Sequence, residues 1–150
     1  MKIHVEIAED MPDNEIIIRC KSAPKNLQQI ENLLKNNELS NLAFYKDNDE
    51  HYISISEIIF FETDGDAVYS HTNEDSYRIK LRLYELEEIL PPAFVRISKS
   101  AIINVSHISS INRSISSSSL VNFYKSHKQV YVSRRYYKGL KYSLTERNSL

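Results

Sequence analysis

Apolar residues alternate with polar ones through most of the chain, a period of two that is typical of strands burying one face. Near the N-terminus this pattern predicts a strand over residues 2–7 and a second over residues 15–20. Beyond residue 42 the pattern recurs in short segments that polar turns separate. The strands predicted there cover residues 42–45, 52–55, 58–63, 67–71, 77–81, 94–97, 102–104, 108–111, 120–124 and 129–132.

Three segments have the spacing of amphipathic helices instead. The first opens at Ser22-Ala23-Pro24 and closes at Asn36-Asn37. Its predicted apolar face consists of Leu27, Ile30, Leu33 and Leu34. The second is a short acidic helix over residues 83–90, ended by two prolines that cannot continue it. The third begins at Arg134, after Ser133, a residue type that caps helices. Its predicted apolar stripe consists of Tyr136, Tyr137, Leu140 and Leu144.

These elements predict a mainly β fold of short antiparallel strands with a few short helices. We divide the chain into a strand-strand-helix appendage (1–41), a main domain (42–147) and a tail (148–150). The appendage is too short for a phosphoacceptor receiver domain. Asp64-Gly65-Asp66 lies between two predicted strands and indicates a tight hairpin.

Charge is unevenly distributed along the chain, although the formal net charge is only -1. Residues 1–95 hold nine Lys/Arg against 19 Asp/Glu, whereas residues 96–150 hold ten Lys/Arg and Glu146 as the one acidic residue. A basic C-terminal third suggests a polyanionic partner. The alternative is that the two halves neutralise each other within the fold or across a dimer.

The remaining composition argues against several classes of protein. Cys20 is the one cysteine, no N-terminal signal peptide is recognisable, and no apolar run approaches the roughly 20 residues that span a bilayer, so we predict a soluble, cytoplasmic protein. The five histidines lack metal-ligand spacing, and the two glycines form no nucleotide-binding loop. We therefore predict no enzymatic activity, no metal and no cofactor.

Two stretches place cations and hydroxyls where an apolar strand gives way to a turn. They are residues 94–104 and residues 130–138. Side chains at such positions are held by a buried strand yet project from the sheet, which suits contact with a phosphate or a base edge. We interpret them as a DNA-binding surface.

Four fragments, in this order and spacing, resemble the LytTR family of bacterial DNA-binding domains. They are Ile59-Phe60-Phe61-Glu62, Leu83-Tyr84-Glu85-Leu86, Phe94-Val95-Arg96-Ile97-Ser98-Lys99-Ser100 with Asn104, and Val132-Ser133-Arg134-Arg135. The resemblance extends from about Leu42 to Arg147. It implies an elongated, mostly β fold that inserts loops into successive major grooves of promoter DNA, and a role as a stand-alone transcriptional regulator.

The resemblance also implies individual site residues. Lys99 and Arg135 occupy base-contacting positions, and Arg96 a basic strand position. The third base-contacting position holds Val68, which could touch a thymine methyl but cannot form a hydrogen bond, and Asp64 and Asp66 beside it would repel phosphate. The predicted contacts to the DNA backbone are Arg96, Ser98, Ser100, His127, Lys128, Ser133, Arg134 and Lys138.

Each site residue has a structural alternative. Lys99 and Arg135 could be solvated turn cations, and Arg96 could pair with an acidic residue inside the fold. Arg78, Lys80 and Arg82 are interpreted as a solvated sheet face.

The expected partner is double-stranded promoter DNA. The resemblance adds a homodimer or two copies per site, and a regulatory membrane protein that restrains the regulator. The rival hypothesis is a non-enzymatic protein-interaction or dimerisation module, in which the acidic part binds a partner and the basic C-terminal surface closes a dimer.

Overall fold

The computed structural model describes residues 17–22, 25–113 and 118–148, and this part of the chain is mainly β. The helices are α1 (Leu27–Leu39), α2 (Leu83–Ile89) and α3 (Tyr137–Asn148). The strands are β1 (Phe44–Lys46), β2 (Asp49–His51), β3 (Phe60–Asp64), β4 (Ala67–His71), β5 (Ser76–Ile79), β6 (Phe94–Ser98), β7 (Ala101–Asn104), β8 (Ile108–Arg113), β9 (Ser119–Phe123) and β10 (Gln129–Val132).

The strands form two antiparallel sheets. A seven-stranded sheet has the order β2-β1-β5-β4-β3-β7-β6, and a three-stranded sheet has the order β10-β9-β8. The two sheets are joined where the backbone N–H of Ser133, just after β10, donates to the carbonyl of Ile97 in β6 at 2.9 Å. The predicted class of short antiparallel strands with a few helices is confirmed.

Two hydrophobic cores lie on opposite faces of the seven-stranded sheet. Neighbouring residues of one strand face opposite ways, so Phe60 packs in the first core and Phe61 in the second. Ile103 and Ile102 divide in the same way on β7. The first core is closed by the three-stranded sheet and α3, and the second by α2. Both faces of β3 and β7 are therefore covered.

The first hairpin is tighter than the sequence pattern predicts. Lys46 pairs with Asp49, which leaves Asp47 and Asn48 as a two-residue turn, and both have positive φ, at 53° and 69°. Asp and Asn tolerate this left-handed region better than most residues, and the turn matches type I′. The return strand is therefore residues 49–51, and the strand predicted at 52–55 is wrong. The predicted turn at Gly65 is confirmed: Asp64 pairs with Ala67, and Gly65 has a φ of 60°.

The terminal helix begins in two steps. Residues 134–136 form a 3₁₀ turn, and α3 follows from Tyr137. The predicted cap at Ser133 precedes this turn, but its side chain makes no capping hydrogen bond. The apolar stripe is confirmed, since Leu140 is fully buried and Tyr136, Tyr137 and Leu144 pack against the first core.

The N-terminal prediction is only partly met. The helix is present as α1, but residues 17–20 form no strand, and the strand predicted at 2–7 lies outside the described residues. Leu33 and Leu34 of the predicted apolar face are 70 % and 41 % exposed. Within the described ranges, no helix is both long and apolar enough to cross a membrane.

Candidate nucleic-acid interface

The first basic stretch forms the tip of the β6–β7 hairpin. Ser98 pairs with Ala101, so Lys99 and Ser100 are the two residues of the tip, and both are exposed. The Ser100 backbone N–H donates to Ser98 Oγ at 3.1 Å, and the Thr63 N–H donates to the Ser100 carbonyl at 2.8 Å. We call residues 98–100 the Lys99 turn. Its backbone is fixed by the neighbouring strand while its lysine projects.

The second basic stretch forms the 3₁₀ turn after β10. The Tyr136 N–H donates to the Ser133 carbonyl at 3.0 Å, and Arg134 and Arg135 are exposed at the outer side of this turn. Leu140, which is fully buried in the first core, anchors the helix that follows. We call residues 133–136 the Arg135 turn. Lys138 is exposed in the first turn of α3.

The two turns lie beside each other, because the Ser133 N–H bonds to Ile97, the residue before the Lys99 turn. Their hydroxyl residues line one shallow cleft, which Glu62, Gln129 and Tyr131 also line. The serines of the cleft are Ser98, Ser100 and Ser133 from the two turns and Ser118 from the residue before β9. Three of the predicted DNA contacts, Ser98, Ser100 and Ser133, therefore share this cleft. Lys99, Arg134 and Arg135 stand on the two turns beside it, and Lys138 follows in the first turn of α3.

Tyr131 also lines the cleft, although the sequence analysis included it only in the stretch 130–138 and did not name it as an individual contact. Its side chain is 65 % exposed in the middle of β10, between the buried Val130 and Val132. The strict alternation of β10 was the signal, since an aromatic residue between two inward valines must face outward.

Arg96 has all three guanidinium nitrogens bound to other groups of the protein. Its Nε donates to the Ser98 carbonyl at 2.7 Å, its Nη2 to the Lys99 carbonyl, and its Nη1 to the Glu87 carboxylate. The side chain is only 21 % exposed. The structural alternative for Arg96, an ion pair inside the fold, is therefore what the structure shows.

His127 and Lys128 lie apart from the two turns, in the β9–β10 loop. This loop, residues 124–128, packs on the β4–β5 connection, where Ser126 Oγ donates to the Asn73 carbonyl at 2.8 Å. We call it the Lys128 loop. Lys128 Nζ donates to the Asp75 carbonyl and lies 3.3 Å from Nδ1 of His71. His127 is exposed, whereas the Lys128 ammonium is bound within the protein.

A half-buried histidine connects the Lys128 loop to the cleft. Burial, followed by the charge of the nearby Lys128 ammonium, lowers the pKa of His71 to about 4, so His71 is neutral at pH 7. Its Nε2 then donates to Glu62 Oε1 at 2.8 Å, and its Nδ1 accepts from Lys128. Burial, followed by the Asp64 charge, raises the pKa of Glu62, and burial lowers the pKa of Lys128. The contact between His71 and Glu62 is a hydrogen bond rather than an ion pair.

Val68 does not reach the surface. It is 3 % exposed and packs in the second core, so the thymine-methyl contact considered for it is wrong. Asp64, Gly65 and Asp66 beside it are exposed and add only negative charge to this hairpin.

Comparison with known proteins agrees with this geometry. The family model "LytTr DNA-binding domain" matches residues 48–145. The chain belongs to the LytTR family. A solved LytTr DNA-binding domain from Bacillus cereus superposes with a TM-score of 0.63 at 25 % sequence identity, over 68 % of this chain and 94 % of that one. The predicted resemblance and fold are confirmed, and the protein carries a DNA-binding domain.

Relatives along the whole chain come from Staphylococcus aureus. A protein of strain NCTC 8325 is 34 % identical over 147 residues, covering 97 % of this chain and 99 % of the relative, and one of strain N315 is 33 % identical over the same length. Both are named uncharacterised HTH-type transcriptional regulators. In the described part of this LytTR chain, strands separate each α-helix from the next, so no two consecutive α-helices form a helix-turn-helix.

Proposed function

We propose that this LytTR protein is a transcriptional regulator that recognises promoter DNA sequence-specifically, with turns rather than a recognition helix in the major groove. The observation that carries the proposal is the junction of the Lys99 turn and the Arg135 turn through the 2.9 Å hydrogen bond between Ser133 and Ile97. This hydrogen bond brings together two cationic turns that lie far apart in the sequence, so that they form one surface. The regulatory names of the relatives support the same conclusion.

Lys99 and Arg135 read bases in this proposal. A lysine ammonium can donate to guanine O6 or N7, and an arginine guanidinium can donate to both atoms at once. Both side chains are exposed and stand on backbone that hydrogen bonds hold in place. Such preorganisation reduces the entropy lost on binding.

The other surface residues position the DNA. The serines of the cleft offer hydroxyl donors to phosphate oxygens, and the exposed cations Arg134 and Lys138 neutralise phosphate charge. Lys138 lies in the first turn of α3, where the helix dipole also favours an anion. His127 remains a proposed contact at the far end of β10.

The test is selection of duplexes from a random library, followed by titration of the enriched sequence and a scrambled duplex at two salt concentrations. We expect tighter binding to the enriched sequence, with a salt slope of about −0.9 per phosphate neutralised. Lys99→Ala and Arg135→Ala should each cost roughly 1–3 kcal/mol on the enriched duplex and less on the scrambled one.

Matched controls come from β5 and from the residue that directly follows it. Lys80→Ala and Arg78→Ala remove the same two charge types from an exposed sheet face distant from the turns, and both should leave the discrimination unchanged. Failure to enrich any sequence, or equal losses in test and control variants, would contradict the proposal. The homodimer and the restraining membrane protein stay predictions from the resemblance.

A further inference from the structure

Arg96 holds three partners that together determine where the Lys99 turn lies. Two of them are backbone carbonyls of the turn itself, those of Ser98 and Lys99, and the third is Glu87 on α2. Each of the three guanidinium nitrogens therefore has its own acceptor. The planar fork of arginine fixes these directions, which the single ammonium of lysine cannot reproduce.

Glu87 is itself fixed by the core. Its helix packs through Leu86, which is fully buried in the second core, and through Leu83. The carboxylate is therefore an attachment point outside the hairpin that a fixed helix carries, with its side chain 45 % exposed. Arg96 connects that point to the tip on which Lys99 stands.

The strand pairing around Arg96 explains why such a connection is useful. The register of β6 against β7 shifts between Arg96 and Ser98, so the ladder is irregular immediately before the turn. A bulge re-aims the residues that follow it and weakens the local pairing. The guanidinium spans this irregular segment, because it is anchored before the shift and bonds to carbonyls after it.

We propose that Arg96 and Glu87 form a clamp that positions the Lys99 turn for base reading, and that Arg96 is not a phosphate contact. This inference rests on the proposed function, because it assigns the clamp to the turn whose lysine reads a base. Arg96 is a positioning residue that acts through Lys99. Glu87, an acid near a DNA-binding surface, is required for specificity in this proposal.

Replacing Glu87 distinguishes the clamp from a general electrostatic effect, because the two hypotheses predict opposite changes in DNA binding. Removing a negative charge near DNA should strengthen binding to every duplex if the charge acts only at long range. Glu87→Gln should instead reduce the preference for the enriched over the scrambled duplex roughly tenfold, the factor that corresponds to one lost charge-assisted hydrogen bond. Glu88→Gln is the matched control, since it makes the same charge change at an exposed site on the same helix. It should leave the preference unchanged.

The second variant is Arg96→Lys, which retains the charge. A phosphate contact would survive this change, with the salt slope and the affinity for both duplexes nearly preserved. The clamp predicts a lower preference for the enriched duplex at an unchanged salt slope. A preserved preference in Arg96→Lys, together with stronger binding of all duplexes by Glu87→Gln, would overturn the proposal.

A readout without DNA keeps the clamp testable even if the proposed function fails. The Thr63 amide donates to the Ser100 carbonyl, so its hydrogen exchange reports whether the turn stays in place. Exchange of the Thr63 amide should accelerate roughly tenfold in Arg96→Lys and Glu87→Gln but not in Glu88→Gln. Unchanged exchange in both test variants would overturn the clamp, whereas a wild type that does not discriminate between duplexes would overturn only the function.

Discussion

The Lys99 turn and the Lys128 loop each place a lysine at the end of a hairpin in the basic third of the chain, yet the two lysines have different surroundings. Lys99 projects from a turn whose carbonyls are bound by Arg96 and Thr63. The Lys128 ammonium bonds to the Asp75 carbonyl of a neighbouring loop. The Asp75 carbonyl also accepts from the Thr72 backbone N–H at 3.0 Å, so the Lys128 ammonium is a second donor there. A position at the end of a hairpin therefore does not by itself leave a lysine projecting into solvent, since a neighbouring loop can supply an acceptor for its ammonium.

The largest expected effect concerns the core beneath the Arg135 turn. Leu140→Ala removes a fully buried side chain from the first core, so the free energy of unfolding should fall by about 2–5 kcal/mol. Urea denaturation measures this loss. Lys141→Ala, the exposed neighbour on α3, should change stability by less than about 0.5 kcal/mol. A similar small loss in both variants would show that the Arg135 turn does not depend on the core.

An intermediate effect distinguishes the two lysines directly. Lys128→Ala leaves the Asp75 carbonyl without its charged donor, so the free energy of unfolding should fall by roughly 1.5–3 kcal/mol. Lys99→Ala should leave the stability unchanged, because Lys99 is an exposed turn residue. Unfolding curves and DNA titrations of both variants test the contrast. The distinction fails if Lys128→Ala is as stable as the wild type and its DNA binding has a salt slope that is smaller by the contribution of one neutralised phosphate.

The smallest effect is a pH dependence centred on His71. In the unfolded chain His71 protonates near pH 6.5, but in the folded protein it does so only near pH 4, so the folded state binds fewer protons in that window. The full shift corresponds to about 3 kcal/mol, and solvent screening of this half-buried side chain reduces the expected fall in the free energy of unfolding to about 1–2 kcal/mol as the pH drops from 6.5 to 4. The raised pKa of Glu62 opposes part of this loss.

The variant that tests this pH dependence is His71→Gln, which keeps a polar side chain at position 71 but does not titrate. Its stability should depend less on pH than that of the wild type between pH 4 and 6.5, as measured by denaturation at several pH values. Parallel pH profiles for the two proteins would show that His71 does not hold the lowered pKa.

Short-range patterns predicted most of the strands, because alternation depends only on neighbouring residues. The predicted strand at 67–71 and the strand at 129–132 agree with β4 and β10. The error at residues 52–55 arose from turn chemistry, since a two-residue turn at Asp47-Asn48 requires positive φ at both positions. The residue types at positions 47 and 48 alone do not predict that both residues take a positive φ.

The sequence predicted which cations of the candidate site are exposed, because side chains in a turn usually face solvent. Lys99 and Arg135 were named from sequence and are exposed, but the side chains that differ from expectation depend on distant residues. The acceptor of Lys128 lies 53 positions away, and Val68 is buried because it faces α2 and the second core. Sequence periodicity cannot identify a carbonyl supplied by another loop, so the internal role of Lys128 required the structure.

The two-sided burial of β7 has an evolutionary consequence. Ile102 and Ile103 lie in opposite cores, so adding or removing one residue within β7 would move the residues beyond it to the opposite face and disrupt both cores. Replacing Lys99 by another side chain leaves that register intact. In the proposed mode of binding, descendants of this protein can therefore acquire new DNA targets through substitutions at the hairpin tip, whereas insertions and deletions within β7 should be eliminated by selection.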